Sequence, residues 1–438
     1  DTVEQLEKDS LPSVNDSLLT EELRKEYGVF AAGASGNEST EILENNKLKV
    51  TFSNKGGFPD NVILKQFKNN RKEPLILFNN ESNDFKLLAT TIGKQVDLNN
   101  LYYTANRKVL NDTTVLTYSL DLGEGKSVQH IYTLGADSYE LGYKLELKGL
   151  DNYITKDELI LEWHDNMIAQ EKDIEMSRRN STINYYTASE DFDYLTEASN
   201  SLEEASINEP VKWVSLKQRF FLAALIAENP FSKGKFSTNV DVNDTSTVKE
   251  ATAILSLPLS DVKNGNANYK FFFGPNDYSL LGDVADEFER NLALGWPPMK
   301  WVNKYVIIQL FEFLSSFIGN YGVIIIIMVL LIKLALSPLS YKSYVSMAKM
   351  KVLKPQLDEI KEQNGDDMAK AQQEQMKLYQ KVGVNPVSGC IPMLLQMPIL
   401  LAMFYFFPQS IELRQEGFLW ADDLSTYDSI LNLPFEIP

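Results

Sequence analysis

Apolar and polar positions alternate in short runs between residues 42 and 275. The runs are rich in Val, Ile, Thr, Tyr and Phe, and clear examples lie at residues 47–53, 113–121, 127–133 and 139–147. Alternation with a period of two, bounded by Asn, Asp and Gly, is typical of half-buried strands. More than a dozen such runs with almost no helical period predict a large antiparallel β-sandwich of two sheets.

A continuous apolar run at residues 320–340 predicts a transmembrane helix. From Tyr321 to Leu336 its only charged residue is Lys333, and the run has about the length that a bilayer core requires. At about 1.5 Å per residue, Lys333 lies roughly 18 Å from Tyr321, inside the hydrocarbon. Two interpretations are open: the ammonium snorkels past Ser337 to the headgroups, or it forms the positive floor of a water-filled pocket.

Two helical patterns precede this run. Residues 276–298 combine an apolar stripe with an acidic opposite side, which predicts one helix packed on the sandwich. Residues 299–319 are aromatic and amphipathic, with Trp296 and Trp301 at their start. This pattern favours a helix in the outer headgroup plane, and a stalk helix buried against the sandwich is the alternative.

The segment at residues 341–384 predicts a cytoplasmic helical hairpin that turns at Asn364 and Gly365. Its first lysines follow the apolar run with no acidic residue among them, so the positive-inside rule places the sandwich outside. The hairpin is rich in methionine and lysine, which gives it an adaptable apolar surface or a soft internal packing. The candidate surface residues are Met347, Lys349, Met350, Lys354, Met368 and Met376.

The chain ends with a second membrane pattern. Residues 385–408 predict a transmembrane helix that its prolines make imperfect, and Gln396 needs a partner or water near mid-span. Residues 409–438 are acidic and aromatic and belong outside again. At the other end, residues 1–41 are polar and acidic, which predicts a flexible tether with a short helix at residues 17–27.

Composition limits the ligands and covalent links that this protein can have. The 438 residues carry a formal net charge of −18, which argues against direct readout of nucleic acid. Nearly all of the acidic excess precedes Lys300, whereas the hairpin is net basic. The single cysteine, Cys390, excludes an intrachain disulfide and a thiol cluster for a metal. We expect His130 and His164 to be core or surface imidazoles.

The sequence contains no Gly-rich phosphate loop, no nucleophile elbow and no metal-ligand spacing. The best candidates for paired carboxylates are Glu162 and Asp165, beside Trp163 and His164. A strand in an acidic protein produces such a pair by composition alone. We therefore expect no enzymatic activity, no cofactor and no catalytic residue.

Several ordered motifs resemble the YidC-type family of membrane protein insertases. They are VLLIKLALSPL at residues 329–339, SMAKM at 346–350, VNPVSGCIPMLLQMP at 384–398 and FLWADDLS at 418–425. The sandwich resembles the periplasmic domain of Gram-negative members more weakly, through SNKGG at 53–57. The resemblance implies an α+β multidomain protein, in which a periplasmic supersandwich precedes an α-helical membrane insertase core with a cytoplasmic hairpin.

The resemblance also implies a site. The family has five membrane helices, so the first would precede Asp1 and the last two would follow Pro438. A hydrophilic groove open to cytoplasm and lipid carries a positive charge, usually arginine, and the matching residue here is Lys333. The residues that match the groove and substrate path are Lys333, Gln396, Cys390, Met397 and Leu400.

The implied function is insertion and assisted folding of nascent membrane proteins in the bacterial inner membrane, alone or with the Sec translocon. The implied partners are nascent membrane proteins, the Sec translocon, the ribosome and the lipid bilayer. The protein would be a multi-pass inner-membrane protein with its large domain in the periplasm. The alternative is a membrane-anchored periplasmic glycan-binding β-sandwich, for which the helices would be only an anchor.

Overall fold

The computed structural model describes residues 14–365, 367–383 and 391–427, without the side chains of residues 14–20, 391, 392 and 395. The chain divides into two compact units, Asp1–Asn291 and Leu292–Pro438. The first unit contains the β-structure and the second contains the long helices.

Nineteen strands lie within the described residues, and every strand pair is antiparallel. In chain order they are β1 Thr40–Glu44, β2 Leu48–Ser53, β3 Pro59–Lys68, β4 Pro74–Phe78, β5 Asn83–Thr91, β6 Lys94–Asp97, β7 Thr104–Leu110, β8 Thr113–Gly123, β9 Lys126–Gly135, β10 Glu140–Lys148, β11 Glu158–Ile168, β12 Thr182–Thr187, β13 Phe192–Tyr194, β14 Glu203–Ile207, β15 Val211–Lys217, β16 Phe221–Phe231, β17 Gly234–Asn239, β18 Thr247–Pro258 and β19 Asn268–Pro275.

The strands form three sheets. A nine-stranded sheet has the order β13-β12-β15-β16-β19-β10-β9-β8-β7, a six-stranded sheet has the order β14-β17-β18-β11-β5-β6, and β1 to β4 form a four-stranded sheet. Strand β19 of the largest sheet packs on both others. The Phe271 ring lies 6.1 Å from Trp163 of β11, and the Phe273 ring lies 5.5 Å from Phe78 of β4.

The alternation of burial along β11 shows why these residues form a sandwich. Leu159, Leu161 and Trp163 are at most 1% exposed, whereas the residues between them are partly exposed. Successive side chains of a strand point to opposite faces, so the apolar set enters the core together. The predicted antiparallel sandwich is confirmed, but its strands form three sheets rather than the two expected.

The N-terminal region corrects the expected tether. Helix α1 spans Val14–Tyr27, and a 3₁₀ turn at Gly28–Gly33 buries Phe30 completely. A Cβ on Gly33 would lie 2.7 Å from a methyl carbon of Leu120, so this turn sits tightly on β8. The Tyr102 backbone N–H also donates to the Gly33 carbonyl at 2.7 Å, so residues 28–33 are attached to the sandwich although their composition predicts a tether.

Short helices complete the first unit: α2 Ile174–Arg179, α3 Leu259–Lys263 and α4 Tyr278–Gly282. The single helix expected over residues 276–298 is wrong, because α4 ends early and a 3₁₀ turn follows at Phe288–Asn291. Between them Glu287 has a φ of 55°, which a right-handed helix cannot contain. This bend lets both Leu281 and Phe288 enter the core.

The second unit begins with a composite helix. Helix α5 Pro297–Val302, a π-helical turn at Asn303–Ile307 and helix α6 Ile308–Ser315 follow one another without a break. Ile307, Ile308 and Phe311 are buried, whereas Trp301, Tyr305 and Phe313 are about 60% exposed. The amphipathic aromatic pattern is therefore present as a helix with one buried face and one exposed aromatic face.

Helix α7 is longer than the sequence pattern suggests. It spans Tyr321–Val352, so it continues for 32 residues through Pro338 rather than ending near residue 340. Proline cannot donate to the carbonyl of Leu334, four residues earlier. The Ser337 hydroxyl donates to that carbonyl at 2.8 Å instead, which replaces the missing bond.

Contrary to expectation, the first arm of the hairpin is therefore not one helix of its own that starts after residue 340. Helix α7 supplies it as far as Val352, Leu353 interrupts it, and helix α8 Lys354–Asn364 follows. The chain reverses at Gly365 and enters helix α9 Met368–Val382, whose first turn is capped by the Asp367 side chain. The expected turn at Asn364 and Gly365 is present.

Helix α10 spans Ile391–Phe406, and 3₁₀ turns follow at Phe407–Gln409 and Ile411–Leu413. Among the described residues, α7 is the one helix long and apolar enough to cross a membrane. Helix α10 is also apolar but is described for 16 residues only. Residues 385–390 of the expected second span lie outside the described residues.

Candidate functional site

A cavity of about 380 Å³ lies between α7 and α10. Helix α7 contributes two serines, a tyrosine and a methionine, and α10 contributes methionines, a glutamine and a leucine. The lining residues are Ser340, Ser343, Tyr344, Met347, Met393, Gln396, Met397 and Leu400.

The α7 wall continues the helical face that carries Lys333. Ser340 and Tyr344 follow Lys333 by seven and eleven residues, which is two and three turns, so the three side chains share one face. Lys333 itself is exposed and does not line the cavity. At about 1.5 Å per residue, its Cα lies about 10 Å from that of Ser340 along the helix axis.

The α10 wall brings together three of the residues that the motifs singled out. Gln396, Met397 and Leu400 all line the cavity, and Met393 lies one turn before Met397. Cys390 lies outside the described residues. Met347, expected as a hairpin residue, also lines the cavity, so the groove and the start of the hairpin form one surface.

Sequence reasoning missed Ser340, Ser343 and Tyr344 as cavity residues. The helical period counted from Lys333 would have found Ser340 and Tyr344, had α7 not been expected to end at residue 340. Helical spacing already places Met393 on the face of Gln396 and Leu400. The error in the helix end therefore hid Ser343 and Tyr344, two of the eight lining residues.

The lining mixes polar and soft apolar groups. Thioethers adapt to apolar side chains of different shape, while the Gln396 amide and the serine and tyrosine hydroxyls can pair with backbone groups or water. No charged side chain lines the cavity among the described residues. Such a surface suits an amphipathic polypeptide segment better than a small charged ligand.

The hairpin offers further methionines to solvent. Met368 and Met376 of α9 are 79% and 47% exposed, and Lys349 and Lys354 are exposed as well. Met350 is partly exposed. The two arms are joined by the Asn364 side chain, which donates to the Ile360 carbonyl at 2.8 Å and to the Glu374 carboxylate at 2.9 Å. Of the two interpretations of these methionines, the exposed apolar surface fits α9.

The candidate carboxylates of the sandwich do not form a pair. Glu162 and Asp165 are three residues apart on β11, so they lie on opposite faces of the sheet. Glu162 lies 3.9 Å from the Lys86 ammonium on the outer face, whereas Asp165 is 3% exposed in the core. Burial raises the pKa of Asp165 to about 8. These two groups cannot act together on one substrate.

The two histidines occupy one core and one outer position. His130 is completely buried, its Nδ1 lies 3.0 Å from the Tyr143 hydroxyl, and burial lowers its pKa to about 3. His164 is partly exposed beside Thr252, 2.9 Å from its hydroxyl. Neither environment assembles an acid–base pair.

Two family models match complementary parts of the chain. The model described as YidC periplasmic domain matches residues 42–308, and the model described as 60Kd inner membrane protein matches residues 313–437. The sandwich is therefore similar to a periplasmic domain, and the helices are similar to those of an inner-membrane protein.

Full-length relatives agree with both matches. A membrane protein insertase YidC from Amoebophilus asiaticus is 43% identical over 97% of this chain and 72% of its own length. Another from Cytophaga hutchinsonii is 44% identical over 97% of this chain and 70% of its own length. Both names describe an insertase rather than an enzyme.

A solved structure titled as an active YidC insertase, with its first transmembrane domain resolved, covers 94% of this chain and 83% of its own. Its identity is 18% and its TM-score is 0.32. The match of the periplasmic-domain model over more than half of the chain and the identities above decide the assignment: this chain belongs to the YidC family of membrane protein insertases.

Proposed function

We propose that the cavity between α7 and α10 receives segments of nascent membrane proteins on their way into the inner membrane. The observation that carries the proposal is the shared face of α7, on which Lys333 stands two turns above a cavity lined by Gln396, Met397 and Leu400. The chain would act as a multi-pass inner-membrane protein with its sandwich in the periplasm.

The length of α7 supports an entrance on the cytoplasmic side. A bilayer core of about 30 Å takes up about 20 residues of helix, which extends from Tyr321 to the region of Ser340. The cavity residues Ser340 to Met347 then lie at the cytoplasmic boundary, and Lys333 lies deeper. A segment entering from the cytoplasm would meet the cavity first and the ammonium second.

The charge of Lys333 and the water around it explain why a client segment would move from the cavity towards the ammonium. A lone ammonium within the membrane costs about 2.5–3.5 kcal/mol on insertion scales, a cost that water in a groove reduces. An acidic or polar client segment would be attracted to Lys333, while its apolar segment passes Met397 and Leu400 into lipid. The membrane potential contributes about 2.3 kcal/mol per charge per 100 mV to outward movement of acidic tails.

The hairpin would extend this receiving surface into the cytoplasm. Exposed Met368 and Met376 offer adaptable apolar contacts, and the lysines around them suit the charged surface of a ribosome. The Sec translocon is a further partner in this proposal, for clients with large translocated domains. Both partners rest on the family relationship.

The test is rescue of cells depleted of their own insertase, with insertion of a small acidic-tailed membrane protein measured by protease protection. We expect Lys333→Leu to reduce insertion at least tenfold and Lys333→Arg to keep it near normal, because the arginine retains the positive charge. Membrane levels of each variant are measured by immunoblot.

Lys342→Leu is the matched control. Lys342 is also exposed on α7 but follows Lys333 by nine residues, which places it on the opposite face. Equal losses for both leucine variants would mean that general charge matters rather than the groove. Normal insertion with Lys333→Leu would remove the electrostatic part of the proposal.

A further inference from the structure

A four-residue turn after α10 presents two large apolar side chains to the surroundings. Phe418 and Ala421 pair with each other through both backbone amides, with N–O distances of 2.8 and 3.0 Å. The two central residues, Leu419 and Trp420, are 76% and 78% exposed. The turn therefore holds its two central apolar side chains away from the rest of the chain.

The backbone of this turn is unusual for its sequence. Leu419 has a φ of 55°, a conformation that the first central residue of such a turn normally adopts only when it is glycine. A side chain at this position makes the turn strained. Strain of this kind persists where neighbouring structure holds it in place, and it is concentrated at functional positions.

The turn is fixed at the outer end of α7. Gly322 is the second residue of that helix, and a Cβ on it would lie 2.1 Å from Cγ of Phe418. Only glycine leaves room for the phenylalanine ring, which packs directly on the first turn of the helix. The same end is closed by Phe311, whose ring lies 5.8 Å from Tyr321 and 5.6 Å from Phe406 of α10.

We propose that Leu419 and Trp420 insert into the outer-leaflet interface of the lipid bilayer and anchor the outer end of α7. Because Phe418 sits on the first turn of the membrane-spanning helix, the tip of the turn lies at the level where hydrocarbon meets headgroups. An indole prefers this level, since its ring is apolar and its N–H can bond to headgroup oxygens. The exposed carboxylate of Asp422, next to the turn, stays in the aqueous layer.

The test uses the fluorescence of Trp420 in the full chain, reconstituted in nanodiscs of dioleoylphosphatidylcholine. Trp296 and Trp301 are replaced by phenylalanine, so Trp420 is left with Trp163 and Trp213, which are 0% and 1% exposed in the sandwich. Phosphatidylcholine brominated near the headgroup quenches only tryptophans that contact lipid. We expect it to quench part of the emission, and we expect Trp420→Phe in this background to abolish that part.

Iodide quenching and a Leu419→Gly variant distinguish a lipid-inserted turn from one in water or under protein. Aqueous iodide should quench Trp420 weakly; strong quenching by iodide without quenching by brominated lipid would show the turn in water and overturn the proposal. Resistance to both quenchers would show the turn covered by protein and would overturn it as well. Leu419→Gly keeps Trp420 and relieves the strained φ, and we expect its lipid quenching to fall at least twofold because the leucine no longer inserts.

Discussion

At the scale of single residues, Asp165 is the most informative position in the sandwich. Its carboxyl is 3% exposed, and its Oδ1 has no hydrogen-bond partner among the described residues. Burial raises its pKa to about 8, because the core penalises the charged form. The folded protein therefore keeps this group protonated at neutral pH, and folding takes up a proton.

Asp165→Asn tests this account. A raised carboxyl pKa makes the wild type lose stability as pH rises from about 4, the unfolded value, to about 8, by up to about 1.4 kcal/mol per pH unit. We expect the amide, which cannot ionise, to remove this slope and to make the variant more stable than the wild type at pH 8. Urea unfolding midpoints give the measurement.

The comparison is best made above pH 6.5. There, His130 adds no slope, because its pKa is lowered to about 3 and it costs stability only as pH falls below its unfolded value of about 6.5. Glu162→Gln is the control, since Glu162 lies on the outer face of the same strand. A wild type with flat stability between pH 6.5 and 8 would contradict the buried-proton account.

At the scale of elements, the continuity of α7 depends on one side chain. Pro338 leaves the Leu334 carbonyl without its backbone donor, and the Ser337 hydroxyl supplies the bond at 2.8 Å. In a membrane an unsatisfied carbonyl is costly, because no water is present to replace the donor. The Ser337 hydroxyl therefore satisfies the carbonyl that Pro338 leaves open, just before the part of α7 that lines the cavity.

We expect Ser337→Ala to bend or loosen α7, with a loss of about 1 kcal/mol from the missing bond. Spin labels at residues 323 and 352, on a chain with Cys390 replaced by serine, report the end-to-end distance by double electron–electron resonance. The alanine variant should give a shorter or broader distance distribution, and Ser337→Thr should restore it because threonine keeps the hydroxyl.

Ser340→Ala controls for the loss of a hydroxyl as such. Ser340 donates to the Leu336 carbonyl at 3.1 Å, which its own backbone N–H can also reach within the helix. Its removal should leave the distance distribution unchanged. If Ser337→Ala also left the distribution unchanged, the hydroxyl would not be what keeps the helix continuous.

At the scale of the whole molecule, the chain divides into a sandwich unit and a helical unit that differ in charge. The sandwich unit, Asp1–Asn291, has a core closed by its own sheets, and it includes the Phe30 turn that precedes β1. The acidic excess belongs to this unit, and the hairpin is net basic. The sandwich unit and the hairpin therefore differ in the sign of their net charge.

We expect a fragment of residues 21–291 to fold without the helices and to unfold in one cooperative transition. Its only tryptophans are Trp163 and Trp213, both at most 1% exposed, so its emission should be blue-shifted when folded and shift to the red on unfolding. A red-shifted spectrum in native buffer, or a gradual transition, would show that the unit needs the helices.

The sequence by itself determined the local structure and the family. Three features were predictable from neighbouring residues alone, because local backbone preferences and periodicity determine them. They are the alternation around Trp163, the apolar run before Pro338 and the turn at Gly365. The motif around Gln396 indicated the insertase family, because a motif is likewise a fixed order of neighbouring residues.

Only the tertiary structure decided which elements face one another. Ser340 and Tyr344 line one cavity with Met393, which lies some fifty positions later, and no local pattern specifies that arrangement. The bend at Glu287 and the passage of α7 through Pro338 were likewise decided by core contacts and by a substitute hydrogen bond. Local propensity predicts that a helix or strand forms, whereas long-range packing determines where it ends and which residues it contacts.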